Sequence, residues 1–257
     1  MVARADFARN RGHDHVSFSP QGNMPDISEK SDAPDTGYAP GSLRLVSLLL
    51  RGRRRRRIVT ALRSGNLRAI AQTDLLAPAR LPGLARDSLT LLVAGGAFFA
   101  IVNILAWDIH GVAALPGPDS TFVRLFLLVV ANLVAYTIML PLHEGVHALT
   151  ILLLGGRPRF GLRLPLAAYC TAPGQVFTRR GYMAVALAPL VVLTVVGVVF
   201  TVLWPQWATW LWFGFAGNIS GAVGDLATAS EVRRLPSGAL IADNETGYTA
   251  YMAADAE

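Results

Sequence analysis

Disulfide chemistry is excluded for this sequence of 257 residues, because it contains a single cysteine, Cys170. One thiol forms no intramolecular bridge, so the fold takes no support from that chemistry. A cysteine among apolar residues is more often a packing residue than a metal ligand, and we expect packing for Cys170.

Charged residues are also scarce. They make up 16% of the chain, whereas hydrophobic residues make up 53%. A typical soluble domain is about one quarter charged. Because the apolar residues fall into long blocks, the composition predicts a polytopic membrane protein.

The N-terminal residues 1–41 lack the apolar segment that a cleaved signal peptide requires. They are rich in Asp, Ser, Pro and Gly and show no sustained apolar period. We therefore expect this segment to be a disordered cytoplasmic tail.

Four apolar blocks predict four membrane spans, at residues 89–107, 122–156, 182–204 and 207–229. The loop after the first block contains no Lys or Arg, whereas the loop at 157–180 contains five Arg. Positive loops face the cytoplasm, so both termini, including the tail at 231–257, are predicted to be cytoplasmic. The predicted fold class is an all-α membrane protein, with a four-span domain at 88–230 and a small cytoplasmic β-hairpin at 160–177.

The net charge of +6 comes mainly from arginine, with a run that comprises Arg51 and Arg53 to Arg57. Such a run suits nucleic acid or an anionic lipid surface, and its place just before a membrane span favours lipid headgroups. We expect residues 42–87 to form short amphipathic helices on the membrane surface, followed by a linker broken at Pro78 and Pro82. No nucleic-acid partner is expected.

The second span carries the pattern His-Glu-x-x-His at His143, Glu144 and His147. On a helix, residues four apart share one face, so the two imidazoles can bind one zinc ion. Glu144 lies beside them and is predicted to act as the general base. The alternative is a pair of histidines that hydrogen-bond between helices. Ionisable groups in a membrane helix cost free energy and usually mark a function, which favours the metal site.

A catalytic zinc site needs a third protein ligand, and the fourth span offers one. One helix face carries Gly214, Asn218, Gly221 and Asp225 at steps of four, three and four. The small residues permit close helix packing, so the two polar groups would point inward. We predict Asp225 as the third ligand and Asn218 as an outer-shell or substrate-orienting amide.

Two alternatives concern this ligand. Asp225 could instead form a helix-end ion pair with Arg233 or Arg234. Glu231 is a second candidate ligand, although its place six residues further along the chain disfavours it.

These motifs together resemble a known family. The HExxH motif, the hairpin-like insert, an Arg-rich entry ending in Ala188-Pro189, and the late Asn218 and Asp225 resemble the zincin peptidases of bacterial membranes, relatives of the site-2 proteases. The resemblance covers about residues 85–230. Site-2 proteases usually carry Leu-Asp-Gly around the third ligand, whereas this chain has Gly224-Asp225-Leu226.

The resemblance implies a zinc metalloprotease of the bacterial cell membrane that cleaves transmembrane or membrane-proximal proteins. Its chemistry would be hydrolysis by zinc-activated water with Glu144 as the base. The alternative is a zinc-binding membrane scaffold or regulator without hydrolytic activity. Glu144 separates the two, because a purely structural zinc site does not require it.

Overall fold

The computed structural model describes residues 43–46, 53–163 and 167–253, and the predicted tail over 1–41 lies outside these ranges. The described residues form seven helices and seven strands. The helices are α1 (Arg53–Ser64), α2 (Leu81–His110), α3 (Thr121–Leu153), α4 (Arg179–Leu203), α5 (Pro205–Ala208), α6 (Trp212–Gly221) and α7 (Val223–Arg234). The strands are β1 (Arg44–Val46), β2 (Leu67–Asp74), β3 (Arg159–Arg163), β4 (Ala167–Thr171), β5 (Gln175–Thr178), β6 (Leu240–Asp243) and β7 (Gly247–Ala253).

Three helices, α2, α3 and α4, are long and apolar enough to cross a membrane. They correspond to the first three predicted spans. Large apolar side chains project outward from them, for example Ile104, Phe126 and Val195, each more than half exposed. Such an apolar outer surface fits a lipid environment better than water.

The fourth predicted span, 207–229, is not one continuous helix. This part of the chain is divided into α5, α6 and α7, with a turn over Thr209–Leu211 and a junction at Ala222. None of the three pieces has the length of a span. The prediction of one continuous helix over this apolar block was therefore wrong.

Two asparagines explain how an irregular backbone is tolerated between apolar helices. Asn132 of α3 accepts a hydrogen bond from the Phe213 backbone N–H at 2.8 Å and donates one to the Thr209 carbonyl at 3.2 Å. Asn103 of α2 donates to the Pro205 carbonyl at 3.3 Å. Side-chain amides thus supply the partners that a regular helix would have provided.

The fold is mostly helical, as predicted, but it also contains a five-stranded sheet that the all-α prediction did not include. Its strand order is β1-β5-β6-β7-β2, and all pairs except the parallel β1–β5 pair are antiparallel. Strands β1, β5 and β6 are only three or four residues long, which is too short to show a recognisable period. The sheet exists because segments far apart in the chain pair with one another, which local patterns do not reveal.

The sheet has two apolar faces. Val176 and Leu240 face α1 and pack with Leu62, whereas the next residues along each strand, Phe177 and Ile241, pack against α4 and α7. This alternation follows from the period of two in a strand. The sheet therefore lies between α1 and the ends of the apolar helices.

The arm predicted over 42–87 is built differently from the expectation. The arginine run enters helix α1, whose apolar side chains Ile58 and Leu62 pack against the sheet. Residues Leu67–Asp74 form strand β2, paired with β7, instead of continuing as an amphipathic helix. Of the apolar residues that suggested a membrane-surface helix, Leu43, Ile58, Leu62 and Leu67 pack within the protein, whereas Ile70 is exposed.

A hairpin lies between α3 and α4, but its strands differ from the predicted 160–177 segment. Strand β4 pairs with β3 in a separate two-stranded sheet, with Cys170 opposite Phe160. Residues Gln175–Thr178 instead form β5 of the larger sheet. The Pro173-Gly174 turn thus connects two sheets, and Gly174 has a φ of +68°, which favours glycine.

Close packing of α6 on α3 brings the two halves of the site together. A Cβ atom at Gly214 would lie 3.0 Å from the Ala135 carbonyl oxygen, and one at Gly217 would overlap the Tyr136 ring. Gly221 has no neighbour in the corresponding position. Asn218, which follows Gly217 directly, is buried at this contact.

We predict that Gly217→Ala destabilises the protein, because overpacking a helix contact costs about 1–3 kcal/mol. For a domain of this size, that cost lowers the melting temperature by roughly 3–10 °C. Gly221→Ala is the matched control and should melt like the wild type. Equal melting temperatures for the two variants in detergent would contradict the close contact between α6 and α3.

Candidate metal centre

The two histidines of the HExxH motif lie on the inner face of α3. His143 and His147 are each 8% exposed, and their ring centroids are 5.1 Å apart. This arrangement follows from the spacing of four residues, which places side chains one turn apart on one helix face. Both imidazoles point away from the outer surface of the helix.

Asp225, in the first turn of α7, contacts both histidines. Its Oδ2 atom lies 3.0 Å from His143 Nε2, and its Oδ1 atom lies 3.4 Å from His147 Nε2. One donor atom from each of the three residues falls within 4.8 Å of the other two. The three predicted ligands therefore form one cluster, and the helix N-terminus is a favourable position for the carboxylate.

The other nitrogen of each imidazole has its own partner. His147 Nδ1 lies 2.9 Å from the Val185 carbonyl, which can only accept, so Nδ1 carries the hydrogen. His143 Nδ1 lies 3.1 Å from Asn218 Oδ1 and donates to it in the same way. Both Nε2 atoms are then left with a lone pair directed at Asp225.

Pro189 of α4 explains why the Val185 carbonyl is available. In a helix this carbonyl would accept from the N–H four residues later, but that residue is Pro189, which has none. The carbonyl instead accepts from His147 of α3. The proline that marks the start of the third apolar block thus helps to orient a candidate metal ligand.

Asn218 is itself held in place. Its Nδ2 atom lies 3.5 Å from the Pro189 carbonyl and 3.4 Å from Thr194 Oγ1. These contacts direct the amide oxygen toward His143. The predicted outer-shell position of Asn218 therefore has a geometric basis, since such partners fix the orientation of ligating histidines.

A cation fits this arrangement. With neutral imidazoles, two nitrogen lone pairs and two carboxylate oxygens face each other as acceptors in this largely buried cluster, which is unfavourable unless a proton or a metal ion lies between them. A metal ion between them turns all three groups into ligands. Two nitrogens and a carboxylate oxygen make up a donor set typical of catalytic zinc, which keeps one position open.

A cavity of about 240 Å³ adjoins the cluster. His147 and Asp225 line it together with Glu144, the residue predicted to be the general base. Cys170 of β4 lines the same cavity, and its backbone N–H lies near the Glu144 carboxylate. The candidate base therefore lies beside both the candidate ligands and a space for a reactant.

Two residues considered from sequence lie outside the cluster. Cys170 lines the cavity wall, where burial and the nearby carboxylates of Glu144 and Asp243 raise the pKa of its thiol to about 12. Glu231 accepts hydrogen bonds from Arg80 at 2.6 Å and Thr73 at 2.8 Å. Partial burial raises the pKa of Glu231, but the hydrogen bonds from Arg80 and Thr73 lower it by more, so the net pKa is lowered. The ionised carboxylate therefore stabilises the link between α7 and β2.

The ion pairs proposed as an alternative for Asp225 are not present among the described residues. Arg233 and Arg234 are exposed at the end of α7, and the charged partners of Asp225 there are the two histidines. The helix places Asp225 in its first turn and the arginines in its last, so they are separated along the axis.

Comparison with known proteins agrees with the cluster. Residues 136–240 match the sequence profile of a family described as Putative zincin peptidase. The matched stretch contains the HExxH motif, the β3–β4 hairpin, Asn218 and Asp225. No curated protein and no solved structure matches the chain. The family match supports a zinc metallopeptidase.

Two residues at this site were missed from the sequence. The Val185 carbonyl could have been found, because a proline four residues later always frees a helical carbonyl. Asp243, at the end of β6, lines the cavity and had no signal, since the strand itself was not recognised. The cavity is therefore formed by the sheet as well as by the helices.

We predict that purified protein prepared without chelator contains about one zinc ion per chain, and that His147→Ala and Asp225→Ala lose it. Asn218→Ala should weaken zinc affinity by about 10- to 100-fold, because His143 loses its orienting partner. Elemental mass spectrometry on detergent-purified variants measures both effects. Glu144→Gln is the matched control and should keep its zinc. A wild type without zinc would contradict the site.

Proposed function

We propose that this protein is an intramembrane zinc metalloprotease that hydrolyses peptide bonds of membrane-associated proteins. The observation that carries the proposal is the position of Glu144 beside His147 and Asp225 in one cavity. A structural zinc site has no need of an adjacent carboxylate or of an open space. The family match over residues 136–240 supports the same chemistry.

Zinc bound by His143, His147 and Asp225 would supply Lewis-acid activation of a water molecule and of the scissile carbonyl. Glu144 accepts the proton of the attacking water and later delivers it to the leaving nitrogen. Asn218 and the Val185 carbonyl keep both imidazoles in the tautomer that binds metal. Both imidazoles are largely buried, which strengthens these interactions.

Strand β4 offers a way to hold the substrate. A helical substrate exposes no backbone group to the base, so it must adopt an extended form near the site. Strand β4 pairs with β3 on one edge, and no described strand pairs with its other edge. Because Cys170 of β4 lines the cavity together with Glu144, a peptide added to that edge would lie over the cavity.

The position of the motif supports cleavage within or near the membrane. His143 and His147 lie in the last third of α3, one of the three helices long and apolar enough to span. The arginine-rich loop that follows α3 places this end at the cytoplasmic face under the positive-inside rule. We propose the same side for both termini, in the bacterial cell membrane.

The basic helix α1 provides a second contact with the membrane in this proposal. Arg56 and Arg57 are exposed and line a cleft of about 650 Å³ between α1 and the sheet, whose floor includes Leu240 and Met252. Cationic walls and an apolar floor suit an anionic lipid, with its headgroup on the arginines.

We predict that Glu144→Gln abolishes proteolysis while leaving the zinc content unchanged. Loss of the general base should reduce turnover by at least about 100-fold. Mass spectrometry of new N-termini in membranes that contain either the wild type or the variant measures this loss even while the substrate is unidentified. Cleavage that persists in the variant would contradict the mechanism. A zinc-loaded wild type that generates no new termini would favour the non-catalytic scaffold.

We predict that Arg56→Gln with Arg57→Gln weakens binding of phosphatidylglycerol to the detergent-solubilised protein. Replacing both residues by lysine is the matched control, because it retains the charge. Native mass spectrometry counts the bound lipids, and binding to the wild type should decrease as salt increases. Equal retention by the glutamine and lysine variants would rule out headgroup binding at α1.

A further inference from the structure

A tyrosine and an aspartate form a second polar pair in the wall of the cavity beside the metal cluster. The Tyr182 hydroxyl donates a hydrogen bond to Asp243 Oδ1 at 2.8 Å. Tyr182 comes from the first turn of α4, Asp243 from the end of β6, and both line the cavity with Glu144 and His147. Neither residue belongs to the predicted metal site.

The Tyr182 ring is fixed on both sides. Its centroid lies 6.1 Å from that of Phe177 and 6.1 Å from that of Tyr248, and the residue is 6% exposed. The turn that carries it begins with a cap, in which Thr178 Oγ1 accepts from the Gly181 N–H. The hydroxyl is therefore presented in one orientation.

The direction of the hydrogen bond limits what this hydroxyl can do. A phenol has one hydrogen, and here Asp243 accepts it, so only the lone pairs of the oxygen remain. Burial raises the pKa of Asp243 to about 6, although the Tyr182 hydrogen bond acts against this rise. At pH 8 the carboxylate is ionised and keeps the hydrogen of Tyr182.

We propose that Tyr182 accepts a hydrogen bond from the N–H of the scissile peptide bond, and that Asp243 is the positioning residue that makes Tyr182 an acceptor. This inference rests on the proposed proteolytic function and names a contact within it. As the attacked carbonyl becomes tetrahedral, its nitrogen becomes pyramidal and must direct a lone pair toward the proton held by Glu144. An acceptor on the N–H holds the nitrogen in that orientation.

A purely structural role is the rival explanation, since the Tyr182–Asp243 bond also joins α4 to β6. The two roles differ in one respect. A structural link affects every ligand of the cavity alike, whereas an acceptor distinguishes a ligand that has an N–H from one that has an oxygen in the same place.

Two transition-state mimics isolate this difference. One is a Leu-flanked peptide phosphonamidate, which carries an N–H on the leaving side of the tetrahedral phosphorus. The other is its phosphonate ester, which carries an oxygen there. We expect the zinc-loaded wild type at pH 8 to bind the phosphonamidate at least about 10-fold more tightly, because the ester oxygen would face the Tyr182 oxygen. Isothermal titration calorimetry measures both affinities without any turnover.

In Tyr182→Phe the affinity ratio should fall to about 1–3, with zinc content unchanged. Asp243→Ala should lower the ratio as well, because the hydroxyl is then free to donate. Asp243→Asn should retain more of it, since the amide oxygen can accept the same bond. If Tyr182→Phe fails to fold, the two Asp243 variants test the same hydrogen bond.

The other possible results distinguish failure of the acceptor role from failure of the proteolytic function. Equal affinities in the wild type, or a ratio that Tyr182→Phe leaves unchanged while the melting temperature falls, would overturn the acceptor role and leave the proteolytic function standing. Failure of the zinc-loaded wild type to bind either compound would count against the proteolytic function itself, and the acceptor role would fall with it.

Discussion

The contact on which this structure depends is that of one carboxylate with two imidazoles across a helix interface. Asp225 of α7 lies within 3.4 Å of Nε2 on both His143 and His147 of α3. The Nδ1 hydrogens are held by Asn218 and Val185, so the three groups face each other as acceptors. A buried arrangement of this kind is unfavourable unless a metal ion, or a proton on Nε2, lies between the three groups, so a metal ion bound there would also stabilise the helix packing.

The local parts of this site could be predicted because their patterns are local. The spacing of four between the histidines and the apolar length of three helices are each contained in one segment. Asp225 was predicted from the helical face that starts at Gly214. Although the helix is interrupted at Ala222, Asn218 and Asp225 still point to the same side and both contact His143. Each of these features depends on the composition or the side-chain spacing of one continuous segment, which the sequence determines directly.

The sheet and the broken fourth apolar block could not be predicted for the opposite reason. Strand β2 begins at Leu67 and pairs with β7, which ends at Ala253, so its formation depends on a partner more than half the chain away. The irregular backbone before α6 is tolerated because Asn103 of α2 and Asn132 of α3 donate hydrogen bonds to its carbonyl groups. In both cases the deciding hydrogen bonds join distant segments, and no single segment carries their signal.

The candidate active site likewise combines residues from helices with residues that the sheet brings from distant parts of the chain. Helices α3 and α7 supply the candidate ligands and Glu144, whereas the turn after Asp243 and the loop before α2 close the cavity from the side of the sheet. The Leu75 N–H donates to the Thr246 carbonyl at 2.7 Å, and Arg80 binds Glu231 of α7, so this wall is anchored to both parts. A membrane helix bundle alone could hold a metal ion. Orientation of an extended peptide would require backbone edges and fixed polar groups, and the sheet and the hairpin are the elements that bring them to the candidate metal site.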